Sequence, residues 1–272
     1  MLTRLAFYLV FYPLSLLPLQ VLYGLSDVMC VVLYRLVGYR KAVVRKNLHN
    51  SFPNHSGKEL LLIEKQYYKH LCDLFVESIK SLTMSKKQVL KRYHCLNEEL
   101  VNRYFKQGKS VILLSAHYNN WEWMVLSLSM QFLHHGIGVG KANSNKVFEL
   151  LINRARTRYG TEVVFADTVR ETFLHYEQQQ KPCAYMMLCD QSPASVKKSF
   201  VLEFMHQPSA MIYGGEYFAK KYNYPVFYYV VKKIKRGYYE ISLKPITNIP
   251  QEEDYGAIVK KSSSYSIDLV NY

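Results

Sequence analysis

The most apolar part of the chain lies at its N-terminus. Residues 5–26 carry no charged side chain, and the apolar character continues beyond Asp27 as far as about residue 39. A helix of about 20 apolar residues is long enough to span a bilayer. Pro13 and Pro18 interrupt the stretch, which predicts a kink or a short re-entrant hairpin in place of one straight helix.

A basic cluster follows this stretch directly. It consists of Arg35, Arg40, Lys41, Arg45 and Lys46. Anionic lipid headgroups attract such a cluster, so the pattern favours a membrane anchor over residues 1–40, with the rest of the chain on the cytoplasmic side. A buried core helix is the alternative. A cleaved signal peptide is disfavoured, because the apolar run is too long and no small-residue cleavage site follows it.

The next periodic segment predicts a long helix that begins near Gly57. Ser56 and Glu59 supply a start signal. Apolar residues then recur at steps of three and four, at Leu60, Ile63, Tyr67, Leu71, Leu74, Phe75 and Ile79.

From residue 110 onward, short apolar runs alternate with helical segments. Strands are predicted at 110–116, 136–141, 161–166, 183–189, 225–231 and 237–246, with helices over 121–134, 147–160 and 169–180. This alternation is typical of an α/β fold with a central, largely parallel sheet flanked by helices. We therefore expect two parts, a helical membrane anchor over 1–40 and one folded domain over 41–272.

Net charge and cysteine content limit which partners and which metal sites are expected. Lys and Arg number 35 against 21 Asp and Glu, a net charge of +14, which suits an anionic membrane, an acidic partner or nucleic acid. No basic recognition helix or aromatic RNA-binding motif is present, so nucleic acid is not expected. The five cysteines show no C-x-x-C spacing, which predicts free cytoplasmic thiols and no metal site.

Candidate chemistry lies just after the first predicted strand, in SAHYNNWEW. His117 follows the strand, and a turn would bring Glu122 back to its imidazole, which suits a general base acting on a hydroxyl. Asn119, Asn120 and the following helix N-terminus supply donors for a developing oxyanion. The alternative is a structural loop histidine beside a core tryptophan, Trp121. No G-x-S-x-G or H-E-x-x-H motif occurs, which favours direct transfer over a covalent or zinc-dependent route.

These residues resemble a known family. The segment A116–W123 resembles the H-x4-[DE] motif of glycerolipid-type acyltransferases and, more narrowly, the late acyltransferases of lipid A biosynthesis. Three further stretches agree in order: Arg156–Gly160 with R-x-R-x-G, Asp190-Gln191 with D-Q, and Phe204–Val226 with a glycine-containing segment that ends in PV. The resemblance extends from the N-terminal stretch to about residue 245.

The resemblance implies a membrane-bound acyltransferase at the cytoplasmic side of a bacterial inner membrane. An acyl carrier protein or coenzyme A thioester would donate the acyl chain, with no other cofactor, and a lipid A precursor would accept it. Another glycolipid or aminolipid acceptor, or an inactive membrane-associated homologue, is the alternative. The implied catalytic residues are His117 and Glu122, and the implied substrate-binding residues are Asn120, Lys141, Arg156, Arg158, Asp190 and Gln191.

Several of these roles have alternatives. Phosphate groups of the acceptor or donor would be bound by Arg156, Arg158 and Lys141. Alternatively, the two arginines are ordinary basic residues at the end of a helix. Asp190 would orient one of these arginines, or end a strand in a turn.

The chain departs from the family pattern in three places. Lys141 stands where an arginine is common, and His206 stands where a glycine is common. The family's tryptophan-rich ending is missing, because no Trp follows Trp123 and the chain closes on IVKKSSSYSIDLVNY. This predicts an atypical or truncated C-terminus.

Overall fold

The computed structural model describes residues 2–191 and 199–270. These residues form two compact units. The first is drawn from Met1–Thr83 and Glu203–Ser209, and the second from Met84–Leu202 and Ala210–Tyr272.

The N-terminal part of the first unit, residues 2–83, is helical. Its helices are α1 (Leu2–Ala6), α2 (Tyr12–Leu16), α3 (Leu19–Val31), α4 (Lys41–Ser51) and α5 (Gly57–Lys80). Two π-helical segments, Phe7–Phe11 and Val32–Val37, continue α1 and α3. Pro13 lies in the first turn of α2, where a missing N–H is tolerated. The helix ends at Leu16, and the next residue, Leu17, has an extended backbone (ψ 149°) before Pro18, so the predicted interruption occurs at the second proline.

Helix α5 begins where its sequence signal predicts. The Ser56 hydroxyl accepts from the backbone N–H of Glu59, and the Glu59 carboxylate accepts from the N–H of Ser56 at 2.7 Å. This reciprocal capping satisfies two backbone donors that the helix itself leaves without partners.

The second unit is α/β. Its helices are α6 (Lys86–Arg92), α7 (Glu99–Phe105), α8 (Trp121–Gln131), α9 (Lys146–Thr157), α10 (Val169–Gln178), α11 (Gly214–Tyr222) and α12 (Ala257–Val270). Its sheet strands are β1 (Tyr93–Cys95), β2 (Val111–Ser115), β3 (His135–Gly140), β4 (Glu162–Phe165), β5 (Cys183–Leu188), β8 (Val226–Lys235) and β9 (Tyr238–Thr247). Between β5 and α11, β6 (Ser199–Phe204) and β7 (Gln207–Ile212) pair in a sheet of their own.

The main sheet is largely parallel, as predicted. Its strand order is β1-β9-β8-β2-β5-β3-β4. The run from β8 to β4 is parallel throughout, whereas β9 is antiparallel to β8 and pairs in parallel with β1. Every residue of the central strand β2 is buried, because helices cover both faces of such a sheet. The sequence reading missed β1 and the β6–β7 pair, which are short or carry mixed polar residues.

The serine-rich C-terminal segment forms a packed helix, α12. Ile258 and Val259 are buried, and the hydroxyl of Ser266 lies 2.7 Å from that of the buried Tyr228 on β8. Part of the segment that was expected to be atypical is therefore an integral element of the α/β unit.

Candidate active site

Strand register places the two central residues of the site side by side. Ser115 on β2 is paired with Leu188 on the parallel neighbour β5. His117 and Asp190 each lie two residues beyond this pair, at the carboxyl edge of the sheet. Ligands and catalytic groups collect at this edge in open α/β folds.

His117 and Asp190 make a two-point contact. The imidazole Nδ1 lies 2.8 Å from Asp190 Oδ1, and the backbone N–H of His117 donates to Asp190 Oδ2 at 2.9 Å. Burial alone raises the pKa of Asp190, but the hydrogen bonds and charge of His117 outweigh it, so the pKa of this carboxyl is lowered. Asp190 is therefore an anion at neutral pH and favours the His117 tautomer with its proton on Nδ1.

The other ring nitrogen of His117 faces a weaker partner. The Gln191 side-chain Nε2 lies 3.2 Å from His117 Nε2 and donates to its lone pair. The Trp121 ring meets the imidazole edge-on, with ring centroids 5.5 Å apart. The Trp121 ring and the Asp190 carboxylate thus restrict how the imidazole can turn, while Nε2 keeps the basic lone pair.

Glu122 does not occupy the position that its spacing suggested. Its carboxylate is bound by Arg156 through two parallel hydrogen bonds, Nε to Oε2 at 2.8 Å and a terminal guanidinium nitrogen to Oε1 at 2.5 Å. The expected contact between Glu122 and His117 is therefore wrong. The first turn of α8 directs the carboxylate toward α9, and the partner of the imidazole comes from another strand.

The two asparagines after His117 shape the loop. Asn119 adopts a left-handed backbone (φ 57°), which asparagine tolerates, and its amide donates to the carbonyl of Val231 at 2.7 Å. Asn120 is 1 % exposed, and its side-chain oxygen caps α8 by accepting from the N–H of Trp123. Their role toward a substrate stays a prediction, since both side chains have structural partners.

The remaining predicted cations are in different settings. Lys141 is exposed and directly follows β3, at the same sheet edge as His117. Arg158 instead donates to the carbonyl of Met84 and stacks on Tyr159, whose hydroxyl binds that carbonyl at 2.6 Å. Burial lowers the pKa of Arg158. These contacts favour the structural interpretation of Arg158 as a helix-end residue. Lys141 keeps its exposed position at the sheet edge.

Sequence reasoning missed Asp190 as the partner of His117. A signal existed, because Asp190 ends a predicted buried strand just as His117 does. Parallel strands bring such residues together only when they are neighbours, and strand order is not visible in the sequence. Among residues 2–191 and 199–270, no group of three or more His, Cys, Asp or Glu is arranged to hold a metal ion.

Comparison with known families shows the family of this chain. The sequence matches the family described as bacterial lipid A biosynthesis acyltransferase over residues 3–264. The chain belongs to this family. A search of curated proteins found no match.

As a lipid A biosynthesis acyltransferase, the protein transfers an acyl group. The N-terminal helical stretch Leu19–Val37 is long and apolar enough to cross a membrane, and most of it is not buried, the exceptions being Leu19, Leu22 and Ser26. This finding and the family together suggest a membrane protein.

Proposed function

We propose that the protein transfers a fatty acyl chain from a thioester to a hydroxyl of a lipid A precursor, with His117 as the general base. The observation that supports this most directly is the 2.8 Å contact between His117 Nδ1 and the Asp190 carboxylate. A histidine held in this way presents a fixed tautomer with its basic nitrogen toward the substrate.

Proton movement follows from the two ring nitrogens. The acceptor hydroxyl replaces the Gln191 amide at Nε2 and gives its proton to that nitrogen as the oxygen attacks the thioester carbonyl. Asp190 stabilises the imidazolium that forms. The carbon–sulfur bond then breaks, the leaving thiolate takes the proton from Nε2, and an ester remains on the acceptor.

The Glu122–Arg156 pair takes a positioning role in this proposal. Arg156 also binds Asn153 at 3.2 Å, so each of its nitrogens already has a protein partner. A guanidinium so committed is a poor clamp for a phosphate, and its pairing with Glu122 instead ties the start of α8 to α9. Lys141, exposed at the sheet edge, is the better candidate for an acceptor phosphate.

The net charge and the exposed apolar surface of the protein support the proposed partners and the proposed location at a membrane. A net charge of +14 suits an acidic acyl carrier protein as donor, with a coenzyme A thioester as the alternative, and an anionic membrane. We place the protein at the cytoplasmic side of the bacterial inner membrane, where the acceptor lipid lies. A related glycolipid or aminolipid is the alternative acceptor.

The test is acyl transfer by purified protein in detergent with a labelled acyl carrier protein thioester and a lipid A precursor. His117→Ala should lower kcat by about 10²–10⁴-fold. Asp190→Asn should lower kcat by a similar order with little change in KM, because the imidazole loses its preferred tautomer. Asp167→Asn, an exposed aspartate after β4, is the matched control and should retain full activity.

Four outcomes would overturn parts of this proposal. Near-normal turnover by His117→Ala removes the general base. Equal activity of Asp190→Asn and Asp167→Asn removes the role of Asp190. Turnover of a different acceptor with no transfer to the lipid A precursor would keep the chemistry and change the substrate, whereas no turnover of any acceptor indicates an inactive homologue.

A further inference from the structure

Polar contacts join α3 to α5 in the first unit. The Tyr23 hydroxyl donates to Glu77 Oε1 and the Ser26 hydroxyl to Asp73 Oδ1, both at 2.8 Å. Glu77 and Asp73 are 0 % and 1 % exposed. Because the residue number rises along α3 while that of the partner falls along α5, the two helices are antiparallel.

The same alignment continues beyond both ends of α3. Before it, Lys80 Nζ donates to the carbonyls of Ser15 at 2.8 Å and Leu17 at 2.9 Å. After it, the Tyr68 hydroxyl donates to the carbonyl of Tyr39. Side chains of α5 thus contact the segment from Ser15 to Tyr39 at four successive levels, two within Leu19–Val37 and one beyond each of its ends.

The opposite side of this stretch is apolar and exposed. Val21, Leu25, Val28 and Val32 recur at steps of four, three and four, which places them on one face of the helix, and Val28 is 63 % exposed. The face of α3 toward the protein carries Leu19 and Leu22 together with Tyr23 and Ser26, whereas Gln20 and Asp27 are exposed beside the apolar row. A helix of a water-soluble protein seldom turns such an apolar row outward. Such a face needs a non-aqueous neighbour.

Crossing the bilayer is incompatible with these attachments. If Leu19–Val37 crossed, α5 would have to enter the hydrocarbon beside it. That would carry the exposed lysines Lys65 and Lys69, as well as Asp73, Glu77 and Lys80, into the membrane. Charged side chains are strongly disfavoured at the centre of a bilayer.

We infer that Leu19–Val37 lies in the plane of the membrane, with its outer apolar face in one leaflet, and does not cross. This inference rests on the membrane location proposed above and adds how the protein is held there. The expected partner is an anionic leaflet, because exposed basic residues lie near the Tyr39–Tyr68 contact. They are Arg35, Arg40, Lys46, Lys65 and Lys69.

The first test is the sidedness of the two flanks. Arg4→Cys and Lys46→Cys are placed before and after the stretch and reacted with a membrane-impermeant maleimide in sealed inner-membrane vesicles of known orientation. The unsubstituted chain measures labelling of the native cysteines. We expect both positions to be labelled from the cytoplasmic side alone. Labelling of the two from opposite sides would show a crossing helix and overturn the inference, while leaving the membrane location intact.

The second test is depth. Val28 lies at the middle of Leu19–Val37, so a crossing helix puts it at the bilayer centre, whereas a helix in the plane puts it as shallow as Val21 and Val32. Val21→Trp, Val28→Trp and Val32→Trp are compared in vesicles whose lipids carry bromine at shallow or deep chain positions. Equal, shallow quenching supports the inference, and deep quenching confined to position 28 overturns it.

The third test identifies what covers the face. Val28→Lys should weaken binding to phosphatidylethanolamine–phosphatidylglycerol vesicles by roughly tenfold. Asn47→Lys, which adds the same charge at an exposed position of α4, should not weaken it. Unchanged binding of Val28→Lys overturns the inference, and a change from dimer to monomer instead would indicate a second copy as the neighbour. If the unsubstituted protein binds no vesicles, the proposed membrane location fails as well.

Discussion

At the residue scale, Asp190 and Gln191 hold both ring nitrogens of His117. The carboxylate at Nδ1 is a strong, charge-assisted partner, whereas the amide at Nε2 is neutral and 3.2 Å away. A substrate hydroxyl can replace the weaker partner without disturbing the stronger one. The order of strengths thus fits a base that must be oriented on one side and accessible on the other.

A second residue pair, Glu122 and Arg156, leads to a prediction of coupling. Glu122→Gln and Arg156→Gln should each lower kcat/KM, and the double substitution should cost little more than either single one, because each removes the same contact. Steady-state kinetics of the four proteins measure the coupling free energy. Arg154→Gln, on an exposed position of α9, is the control. Strictly additive losses would show that the two residues act independently.

A third residue, His134, predicts pH-dependent stability. It is 2 % exposed, its Nε2 donates to the carbonyl of Lys109, and burial lowers its pKa to about 4. The unfolded chain has an ordinary histidine pKa and binds the proton first, so the free energy of unfolding should fall as pH drops from about 6.5 to about 4. The full loss is roughly 3 kcal/mol, at 1.36 kcal/mol for each pKa unit.

Denaturant unfolding across this pH range measures the effect. His134→Gln keeps a donor for the Lys109 carbonyl and should flatten the pH dependence. His49→Gln, at an exposed position in α4, should leave it unchanged. A pH dependence that persists in His134→Gln would mean that other groups are responsible.

At the element scale, α12 depends on a buried carboxylate from α11. Glu216 accepts from the N–H groups of Gly256 at 2.7 Å and Val259 at 3.1 Å, at the start of α12. At its far end, the carbonyl of Leu269 accepts from the hydroxyl of Tyr118, the neighbour of His117. The C-terminal helix is thereby connected to the loop that carries the proposed base.

Glu216→Gln should destabilise the α/β unit by about 1.5–3 kcal/mol, since an uncharged amide is a weaker acceptor for two buried N–H groups. Thermal unfolding measures the loss of stability. The matched control is Glu252→Gln, because Glu252 is exposed and lies shortly before α12 in the sequence. Activity of the folded fraction should fall less than stability does. An unchanged melting temperature would contradict the capping role of Glu216.

At the scale of the whole molecule, net charge and apolar surface predict two separable components of membrane binding. Raising the salt concentration screens the attraction between the basic residues and anionic lipid, because the Debye length falls from about 8 Å at physiological ionic strength to about 3 Å at 1 M. Binding to phosphatidylglycerol-containing vesicles should therefore weaken with salt, while binding to phosphatidylcholine vesicles should not. Sedimentation with vesicles measures both, and complete release by salt would contradict an apolar contribution.

Local patterns determined much of this protein. The capping box at Ser56, the helical period of α5 and the alternation of strands and helices are set by neighbours in sequence, through backbone hydrogen bonds and side-chain periodicity. The same local logic placed His117 just past the end of a strand. These features were predictable because each depends on residues only a few positions apart.

Tertiary structure alone decided the partners across the chain. Asp190 reaches His117 because β5 is the neighbour of β2, and Glu122 binds Arg156 because α8 packs against α9. Likewise, the sequence alone predicts that Leu19–Val37 spans a membrane. Only its contacts with α5 show which face of the helix is turned toward the protein. Residues tens of positions apart meet only when strand order and helix packing bring them together. The free energy that stabilises one arrangement over others comes from contacts throughout the core.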